Sequence, residues 1–209
     1  DGVVVDFLGA VDVVRRLTAQ VATRLGRPLD RAQGAYPPGV PASDVRAVRH
    51  VIEACDLDCA GLIDEPSAAN AVLGLRDGVV VDVGGGTTGL AVVADGQIVH
   101  TADEATGGHH LTLVIAGALG VAYDEAERLK CDPSQQARLL PLVRPVMEKV
   151  AAIVASHTSG FVVPIIHLVG GSTAFPGFAE AVADASGIPT VRPAHPLFVT
   201  PLGIARLAS

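Results

Sequence analysis

The feature that most constrains the fold is a run of β-branched residues that opens directly onto a glycine cluster. Residues 79–83 read VVVDV, and residues 84–89 continue as GGGTTG. An unbroken β-branched run is typical of a strand that is buried on both faces. The segment LAVV at 90–93 predicts a second strand, so the glycines form a turn between two strands. With the helical patterns elsewhere, this arrangement predicts an α/β protein.

The hexamer DGVVVD occurs twice, at residues 1–6 and at 77–82. Only the second copy runs into glycines. The first copy is strand-like and is followed by a helical pattern, with Asp6 as the expected cap and Gly26 as the expected end. Its apolar residues recur at helical spacing: Phe7, Val11, Val14, Leu17, Val21 and Leu25. We interpret the repeat as chance reuse of a good strand sequence.

The remaining elements follow from apolar spacing, glycines and prolines. We expect Ser43 to cap the second helix, which places Val45, Val48 and Ile52 on one face. A proline in the first turn and a glycine at the end support a helix at 65–74. Further strands are predicted at 33–39, 61–64, 97–103 and 165–169, and further helices at 109–120, 123–130, 143–158, 176–187 and 200–209.

Glycines at 84–86 allow a backbone that approaches an anion closely, because no Cβ stands in the way. Successive N–H groups in such a turn can point into one concavity and hold a phosphate. Thr87 and Thr88 add hydroxyls, and the Asp82 carboxylate can orient a water or a hydrated metal ion. A plain hairpin turn is the alternative interpretation. The turn is neither a Walker loop nor a dinucleotide-binding fingerprint, because no G-K-[ST] follows and a strand follows in place of a helix.

A second glycine site stands at 169–177, with the sequence VGGSTAFPG. A buried strand ends there, paired glycines follow, and a helix begins near Pro176. Glycine lets a flat base or a ribose lie against the backbone, within reach of Ser172 or Thr173. By itself, this pattern is equally that of an ordinary turn before a helix.

Four segments together resemble the actin-like ATPase superfamily, which includes actin, sugar kinases, MreB and DnaK-type chaperones. DEPSAANA at 64–71 resembles its first connecting helix and VVDVGGGTTGLAVV at 80–93 its second phosphate motif. LVGGSTAFPGF at 168–178 resembles its adenosine motif and TPLGIA at 200–205 its second connecting helix. The segments occur in the family's order. The resemblance implies a two-lobed, ribonuclease H-like fold that binds ATP or ADP with Mg²⁺.

The resemblance also implies a set of site residues, matched position by position. Two carboxylates would position water and Mg²⁺, glycines and threonines would hold the β- and γ-phosphates, and a Gly-Gly turn would open the next helix. A Glu and a Lys would take the ribose, and a second glycine turn the adenine side. The two carboxylates are Glu65 and Asp82, and Asp82 would reach Mg²⁺ through water. The phosphate-binding residues are Gly84, Gly85, Gly86, Thr87 and Thr88, and the Gly-Gly turn is Gly107 and Gly108. The ribose residues are Glu127 and Lys130, and the adenine-side residues are Gly170, Gly171 and Ser172.

The lobes are expected at 1–75 for a partial first lobe and at 76–198 for the second lobe. The segment 199–209 is expected to form a helix that returns to the first lobe. The superfamily's first phosphate loop, D-x-G-T, has no match here, so we expect that part of the first lobe precedes Asp1 in a longer protein. We therefore expect this fragment to bind nucleotide weakly or not at all and to be a weak ATPase at most. Ala174 stands where DnaK-type proteins have an arginine that stacks on adenine.

Within the superfamily, four longer segments resemble the EutJ family of ethanolamine-utilisation proteins: DGVVVDFLGAV, DEATGGHHLTL, VRPVMEKVAAIV and HPLFVTPLGIA. This likeness implies an ATP-dependent, DnaK-like chaperone or reactivating factor. Its partner would be ethanolamine ammonia-lyase or another protein of a bacterial microcompartment, and its location the cytoplasm, with microcompartment association as an option. A non-hydrolysing scaffold and an MreB-like filament former are the alternatives. A small-molecule kinase is less favoured, because the lobes carry no large insertions.

Composition excludes other classes of function. The net charge of −7 and an aromatic content of 3% argue against a nucleic-acid groove. Mean hydropathy is +0.44, but the longest apolar run, at 111–123, is shorter than the roughly 20 residues needed to cross a bilayer. Neither membrane nor nucleic acid is an expected partner. The pair His109 and His110 and the pair Cys55 and Cys59 are interpreted as ordinary structural residues rather than as metal ligands.

Overall fold

The computed structural model describes residues 3–207, which form two sheets and eight α-helices. A two-stranded parallel sheet pairs β1 (Arg31–Tyr36) with β2 (Asp58–Asp64). A five-stranded sheet has the order β5-β4-β3-β6-β7. Its strands are β3 (Gly78–Val83), β4 (Thr88–Ala94), β5 (Gln97–Glu104), β6 (Ile166–Val169) and β7 (Thr190–Val191).

The helices alternate with the strands up to β3; β3, β4 and β5 then follow one another, as do the next three helices. The helices are α1 (Phe7–Leu25), α2 (Ala42–Glu53), α3 (Glu65–Leu73), α4 (Gly108–Leu119), α5 (Tyr123–Cys131), α6 (Pro133–Thr158), α7 (Phe178–Ser186) and α8 (Val199–Leu207). Two short 3₁₀ turns lie at Gly171–Ala174 and Pro196–Phe198. The predicted α/β class is confirmed.

Strand β3 is the centre of the larger sheet, and all six of its residues are buried. It runs antiparallel to β4 and parallel to β6. Val79, Val81 and Val83 pack on one face, in a core that includes residues of α4, α6 and α7. Val80 packs on the other face, in a core with residues of α3 and α8. The predicted burial on both faces is confirmed, and it fixes the position of the glycine turn at the end of β3.

Helices α3 and α8, the two predicted connecting helices, pack against each other at small residues. Ala68 and Ala69 of α3 are fully buried, and Gly203 of α8 is buried where a Cβ would overlap the Ala68 backbone. Asp64 caps α3 by accepting a hydrogen bond from the Ser67 N–H at 2.9 Å. Both predicted helices are confirmed as helices. The lobe boundaries at 75/76 and 198/199 remain predictions, and residues 208 and 209 lie outside the described residues.

The first hexamer does not form the expected strand. Asp1 and Gly2 lie outside the described residues, and Val3–Asp6 has no strand partner among the described ones. Asp6 does cap α1, since its Oδ1 accepts a hydrogen bond from the Gly9 N–H at 2.9 Å. Gly26 ends the helix in the left-handed conformation, at φ 67°. The apolar spacing therefore predicted the helix correctly.

Burial along α1 is less complete than its spacing predicts. Val11 is 5% exposed, whereas Leu17 and Leu25 are 55% and 54% exposed. The helix packs mainly on α2, and Val14 joins a small core with Ile52 and Leu57 there. Periodicity indicates which residues share a face, but it does not say whether another element covers that face.

Two helix starts differ from the predictions. Helix α2 begins at Ala42 after Pro41, and Ser43 makes no cap hydrogen bond, so the prediction of a Ser43 cap was wrong. Helix α6 begins at Pro133, ten residues before the predicted start at 143. Asp132 caps it by accepting from the Ser134 N–H at 2.9 Å, and proline is favourable in the first turn. The internal prolines at 141 and 145 hid the earlier start.

Candidate functional site

In the glycine turn that follows β3, most of the backbone amides lack an acceptor among the described residues, whereas carbonyls of the turn accept hydrogen bonds from protein. Gly84 N–H donates to the Thr87 carbonyl at 3.0 Å. No acceptor is found within residues 3–207 for the backbone N–H groups of Gly85, Gly86 and Thr87. Gly85 and Gly86 are exposed. The two exposed amides, of Gly85 and Gly86, are therefore free to donate to a ligand, whereas Thr87 is buried.

The Gly84 and Gly85 carbonyls of the same turn are bonded to protein. The Gly84 carbonyl accepts from the Gly108 N–H at 2.9 Å and from the Ser172 hydroxyl at 2.7 Å. The Gly85 carbonyl accepts from the His109 N–H at 2.7 Å. The turn is thereby held in place by the first residues of α4 and by the turn after β6.

Close packing around the glycine turn explains why positions 107 and 170 are glycines. A Cβ on Gly107 would lie 2.8 Å from the carbonyl oxygens of Gly84 and Gly85, too close for any other residue. Gly170 has φ +89°, and a Cβ there would overlap the Asp82 carboxylate. The two predicted glycine turns are therefore in direct contact at the end of β3.

A cavity of about 460 Å³ opens between these turns. Its walls bring together most of the residues that the sequence singled out, with a few that it did not. The lining residues are Asp82, Gly84, Gly85, Glu127, Lys130, Cys131, Gly170, Gly171, Ser172, Leu197, Thr200 and Pro201. Segments far apart in sequence thus meet at one pocket, which we call the glycine pocket.

Helix α5 provides a charged pair at the wall of the glycine pocket. The Lys130 ammonium donates to Glu127 Oε2 at 2.7 Å, to the Thr112 hydroxyl at 3.0 Å and to the Gly108 carbonyl at 3.2 Å. Burial raises the pKa of Glu127, but hydrogen bonds from Lys130 and Thr112 and the Lys130 charge outweigh it, so the pKa lies below its ordinary value. Glu127 is therefore ionised at neutral pH.

Asp82 is almost fully buried at the base of the glycine pocket, with 8% exposure. Its Oδ2 accepts a hydrogen bond from the Thr200 hydroxyl at 2.5 Å, which links β3 to α8. Burial raises the pKa of Asp82, against the opposing effect of that hydrogen bond. A buried carboxylate of this kind favours a nearby cation.

Glu65, the first residue of α3, lies beside this pocket but not in its wall. Burial raises the pKa of Glu65 to about 7, and the negative charges of Asp82, Asp103 and Asp64 add to the rise. Its carboxyl group can therefore gain or lose a proton near neutral pH. Asp82 is therefore close enough to Glu65 for its negative charge to raise the pKa of Glu65.

Asp103 of β5 is a member of this carboxylate group that sequence reasoning missed. Burial raises its pKa, against the opposing effect of the Thr87 hydroxyl. Its Oδ1 is buried, and no donor to it is found in the described part of the chain. The only signal in the sequence was its place in DEATGG, just before the turn at Gly107.

Some predicted residues are occupied in other ways. Thr88 is fully buried, and its hydroxyl donates to the Thr106 carbonyl at 2.5 Å, so it is not directed at the pocket. His109 contacts the Tyr123 hydroxyl at 2.9 Å. Among residues 3–207, no group of three or more His, Cys, Asp or Glu side chains is placed to hold a metal ion.

The chain is 42% identical over 206 residues to the ethanolamine utilization protein EutJ of Escherichia coli strain K12, covering 98% of this chain and 72% of that protein. The chain belongs to the EutJ family. The crystal structure of the EutJ protein from Carboxydothermus hydrogenoformans superposes with a TM-score of 0.91 at 45% identity. That match covers 98% of this chain and 76% of the other.

More distant comparisons place the EutJ family fold in the actin-like ATPase superfamily, as predicted. The family model for cell division protein FtsA matches residues 79–206, and the model for MreB/Mbl protein matches residues 1–125. A structure of the PilM-PilN type IV pilus biogenesis complex matches with a TM-score of 0.69 at 20% identity, over 79% of this chain and 58% of that chain. This last likeness concerns the fold alone.

None of the helices within residues 3–207 combines the length and apolar character required to cross a bilayer.

Proposed function

We propose that the full-length protein binds ATP or ADP with Mg²⁺ in the glycine pocket and hydrolyses ATP slowly. The observation that carries the proposal is the glycine turn, in which the exposed Gly85 and Gly86 amides find no acceptor within residues 3–207 while the Gly84 and Gly85 carbonyls are bonded to protein. Successive free amides in a glycine turn form a concavity that suits phosphate oxygens. The second glycine turn and the Glu127–Lys130 pair lie on the same pocket, where the rest of a nucleotide would extend.

The donor set fits Mg²⁺ carried by a nucleotide. Mg²⁺ keeps several of its waters and is usually held by one or two carboxylates together with substrate phosphates. Asp82 supplies one buried carboxylate beside the free amides, and the described residues offer no complete metal site of their own. When bound, the ion would neutralise charge on the phosphates. Asp82 would hold its hydration shell through water.

Glu65 is the residue that would accept a proton from the attacking water. A general base is most effective when its pKa lies near the working pH, and that of Glu65 is raised to about 7. Asp82, by its charge, helps to keep the pKa high. Above neutral pH, Glu65 is ionised and able to take the proton.

Glu127 would bind the ribose hydroxyls. Its lowered pKa keeps the carboxylate ionised, and hydrogen bonds to a charged acceptor are stronger than neutral ones. Lys130 fixes the side chain from one side, which leaves an oriented acceptor in the wall of the pocket.

For the cellular role, we propose a chaperone or reactivating factor that acts on ethanolamine ammonia-lyase, or on another microcompartment protein, during ethanolamine utilisation. The names of the relatives support the pathway. In the proposed mechanism, nucleotide binding closes two lobes, the contact of α3 with α8 lies between them, and a partner senses the movement. We propose a cytoplasmic location, in association with a microcompartment.

Nucleotide binding is tested by calorimetric titration of the full-length protein with ATP and ADP, with and without Mg²⁺. We expect saturable binding that Mg²⁺ strengthens. Asp82→Asn should remove the effect of Mg²⁺, whereas Asp184→Asn, an exposed position on α7, should keep it. A wild-type protein that binds neither nucleotide would overturn the proposal.

The cellular role is tested with purified ethanolamine ammonia-lyase that has been inactivated by turnover. We expect recovery of lyase activity on addition of this protein with ATP, and none with Glu65→Gln. Nucleotide binding without any ATP-dependent recovery would contradict the reactivating role and favour a non-hydrolysing scaffold. Sedimentation in the presence of ATP distinguishes the reactivating factor and the scaffold from an MreB-like filament former.

A further inference from the structure

A smaller cavity of about 170 Å³ adjoins the glycine pocket. It shares Lys130, Cys131, Gly171 and Ser172 with that pocket, so a ligand in one can extend into the other. Its apolar wall consists of Leu111, Ala174 and Phe175, and its remaining residue is Gln136. A largely apolar cavity with few polar groups is the common form of a site for a flat ring.

Three of the four polar side chains in this cavity are already bonded to protein. The Lys130 ammonium donates to three oxygens, including Glu127 Oε2 at 2.7 Å. The Ser172 hydroxyl donates to the Gly84 carbonyl at 2.7 Å. Burial and the Glu127 charge raise the pKa of the Cys131 thiol, which stays protonated and contacts Glu127 Oε1 at 3.5 Å.

Gln136, in the first turns of α6, is the fourth. Its Nε2 donates to the Lys130 carbonyl at 3.2 Å. Because a carbonyl only accepts, this bond fixes which end of the amide is the nitrogen. Within residues 3–207, no donor is found for the Gln136 Oε1 atom. The half-buried amide therefore presents an oriented, unused acceptor.

We propose that Gln136 recognises the nucleobase through its amide oxygen and selects adenine, whose exocyclic amine donates, over bases that carry a carbonyl at that position. This inference rests on the proposed nucleotide binding. Ala174 offers neither charge nor an aromatic ring, and contact with the Phe175 ring would not distinguish an exocyclic amine from a carbonyl, so a hydrogen bond is the main source of base discrimination in the cavity. A site that is built to bond a donor rejects an analogue that lacks it, because the acceptor then stays unpaired.

The test compares ADP with inosine diphosphate, whose base has a carbonyl in place of the amine, by calorimetric titration of the full-length protein. We expect the wild-type protein to bind ADP about tenfold more tightly, the size of one hydrogen bond to a partly buried acceptor. Gln136→Leu should reduce this preference to less than about twofold, mainly by weakening the binding of ADP. Gln135→Leu, the matched change one residue earlier, should keep the wild-type ratio.

The outcomes separate this inference from the function on which it rests. If both nucleotides bind and Gln136→Leu retains the preference for ADP, base recognition by Gln136 is wrong and nucleotide binding stands. If wild-type protein binds neither nucleotide, both proposals fall. Thermal melting of each variant checks folding, and Gln136→Met, which keeps an unbranched side chain, replaces Gln136→Leu if the latter unfolds. Equal affinity of wild-type protein for the two nucleotides would also overturn the inference.

Discussion

At the scale of single residues, the group of carboxylates near β3 is the most informative feature. Glu65, Asp82 and Asp103 come from three different elements, and burial raises the pKa of each. In the absence of a cation, such a group is unfavourable when fully ionised. Its presence in a folded protein is accordingly more easily explained by function than by stability.

Glu65 should make stability depend on pH. Its pKa is raised from 4.5 to about 7, so the protonated form is favoured in the folded state. The free energy of unfolding of the nucleotide-free protein should therefore be highest below pH 4.5, as far as this group is concerned, and fall as pH rises through about 7. Glu65→Gln should raise it by about 1–3 kcal/mol at pH 8 and by much less at pH 5. Urea unfolding at the two pH values measures the difference; an equal effect at both would refute the raised pKa.

Asp103 should modulate that titration. Its charge is one cause of the raised pKa of Glu65, so Asp103→Asn should move the pH at which Glu65 loses its proton to a lower value. The measurement is the carboxyl carbon shift of Glu65 followed by NMR as a function of pH. Asp95→Asn, in the β4–β5 turn, serves as a control of equal charge change. No movement of the Glu65 midpoint in Asp103→Asn would show that the two carboxylates are not coupled.

At the scale of elements, the contact of α3 with α8 depends on small residues. Gly203→Ala would place a methyl group on the Ala68 backbone. Because backbone cannot move aside as a flexible side chain can, we expect a loss of about 1–3 kcal/mol in the free energy of unfolding. Gly117→Ala in α4, where no atom lies within 4 Å of the added Cβ, should instead gain about 0.5–1 kcal/mol. Denaturant unfolding of Gly203→Ala and Gly117→Ala measures both effects. An unchanged free energy of unfolding in Gly203→Ala would mean that α3 and α8 can move apart freely.

At the scale of elements, local sequence patterns predicted some features of the fold and missed others. The turn at Gly84–Thr87 and helix α3 were predictable, because glycine clusters, a proline in the first turn of a helix and β-branched runs act locally. Asp103 was not, because its position depends on the register of β4 with β5, which shifts at a bulge between Val92 and Val93. A bulge reverses which alternate residues share a face, and nothing in the local sequence announces it.

Contacts between segments that are far apart in sequence could not be predicted from local patterns either. Thr200 lies in a segment predicted as a connecting helix, yet its hydroxyl bonds Asp82, 118 residues away. Gln136 lies in a part of α6 that the sequence did not assign to a helix. Both are brought to the pocket by the packing of whole elements, which depends on many side chains at once.

At the scale of the whole molecule, ligand binding should appear as a gain in stability. A nucleotide at 100 times its dissociation constant adds about 2.7 kcal/mol if it binds the folded state alone. For a protein of this size we expect Mg²⁺–ADP to raise Tm by about 5–10 °C. AMP, which lacks the β-phosphate that the free amides of the glycine turn would hold, should raise Tm far less. Equal shifts for ADP and AMP would place the main contacts away from that turn.

The division of hydrogen bonds in the glycine turn has a consequence for the free protein. The Gly84 and Gly85 carbonyls are bonded to protein, while the Gly85 and Gly86 amides find no acceptor within residues 3–207, so the turn offers donors to a ligand although the chain as a whole carries a charge of −7. An incoming anion would displace water without any rotation of peptide planes. The turn's preference for a hydrogen-bond acceptor is thus set when the chain folds, before a ligand arrives.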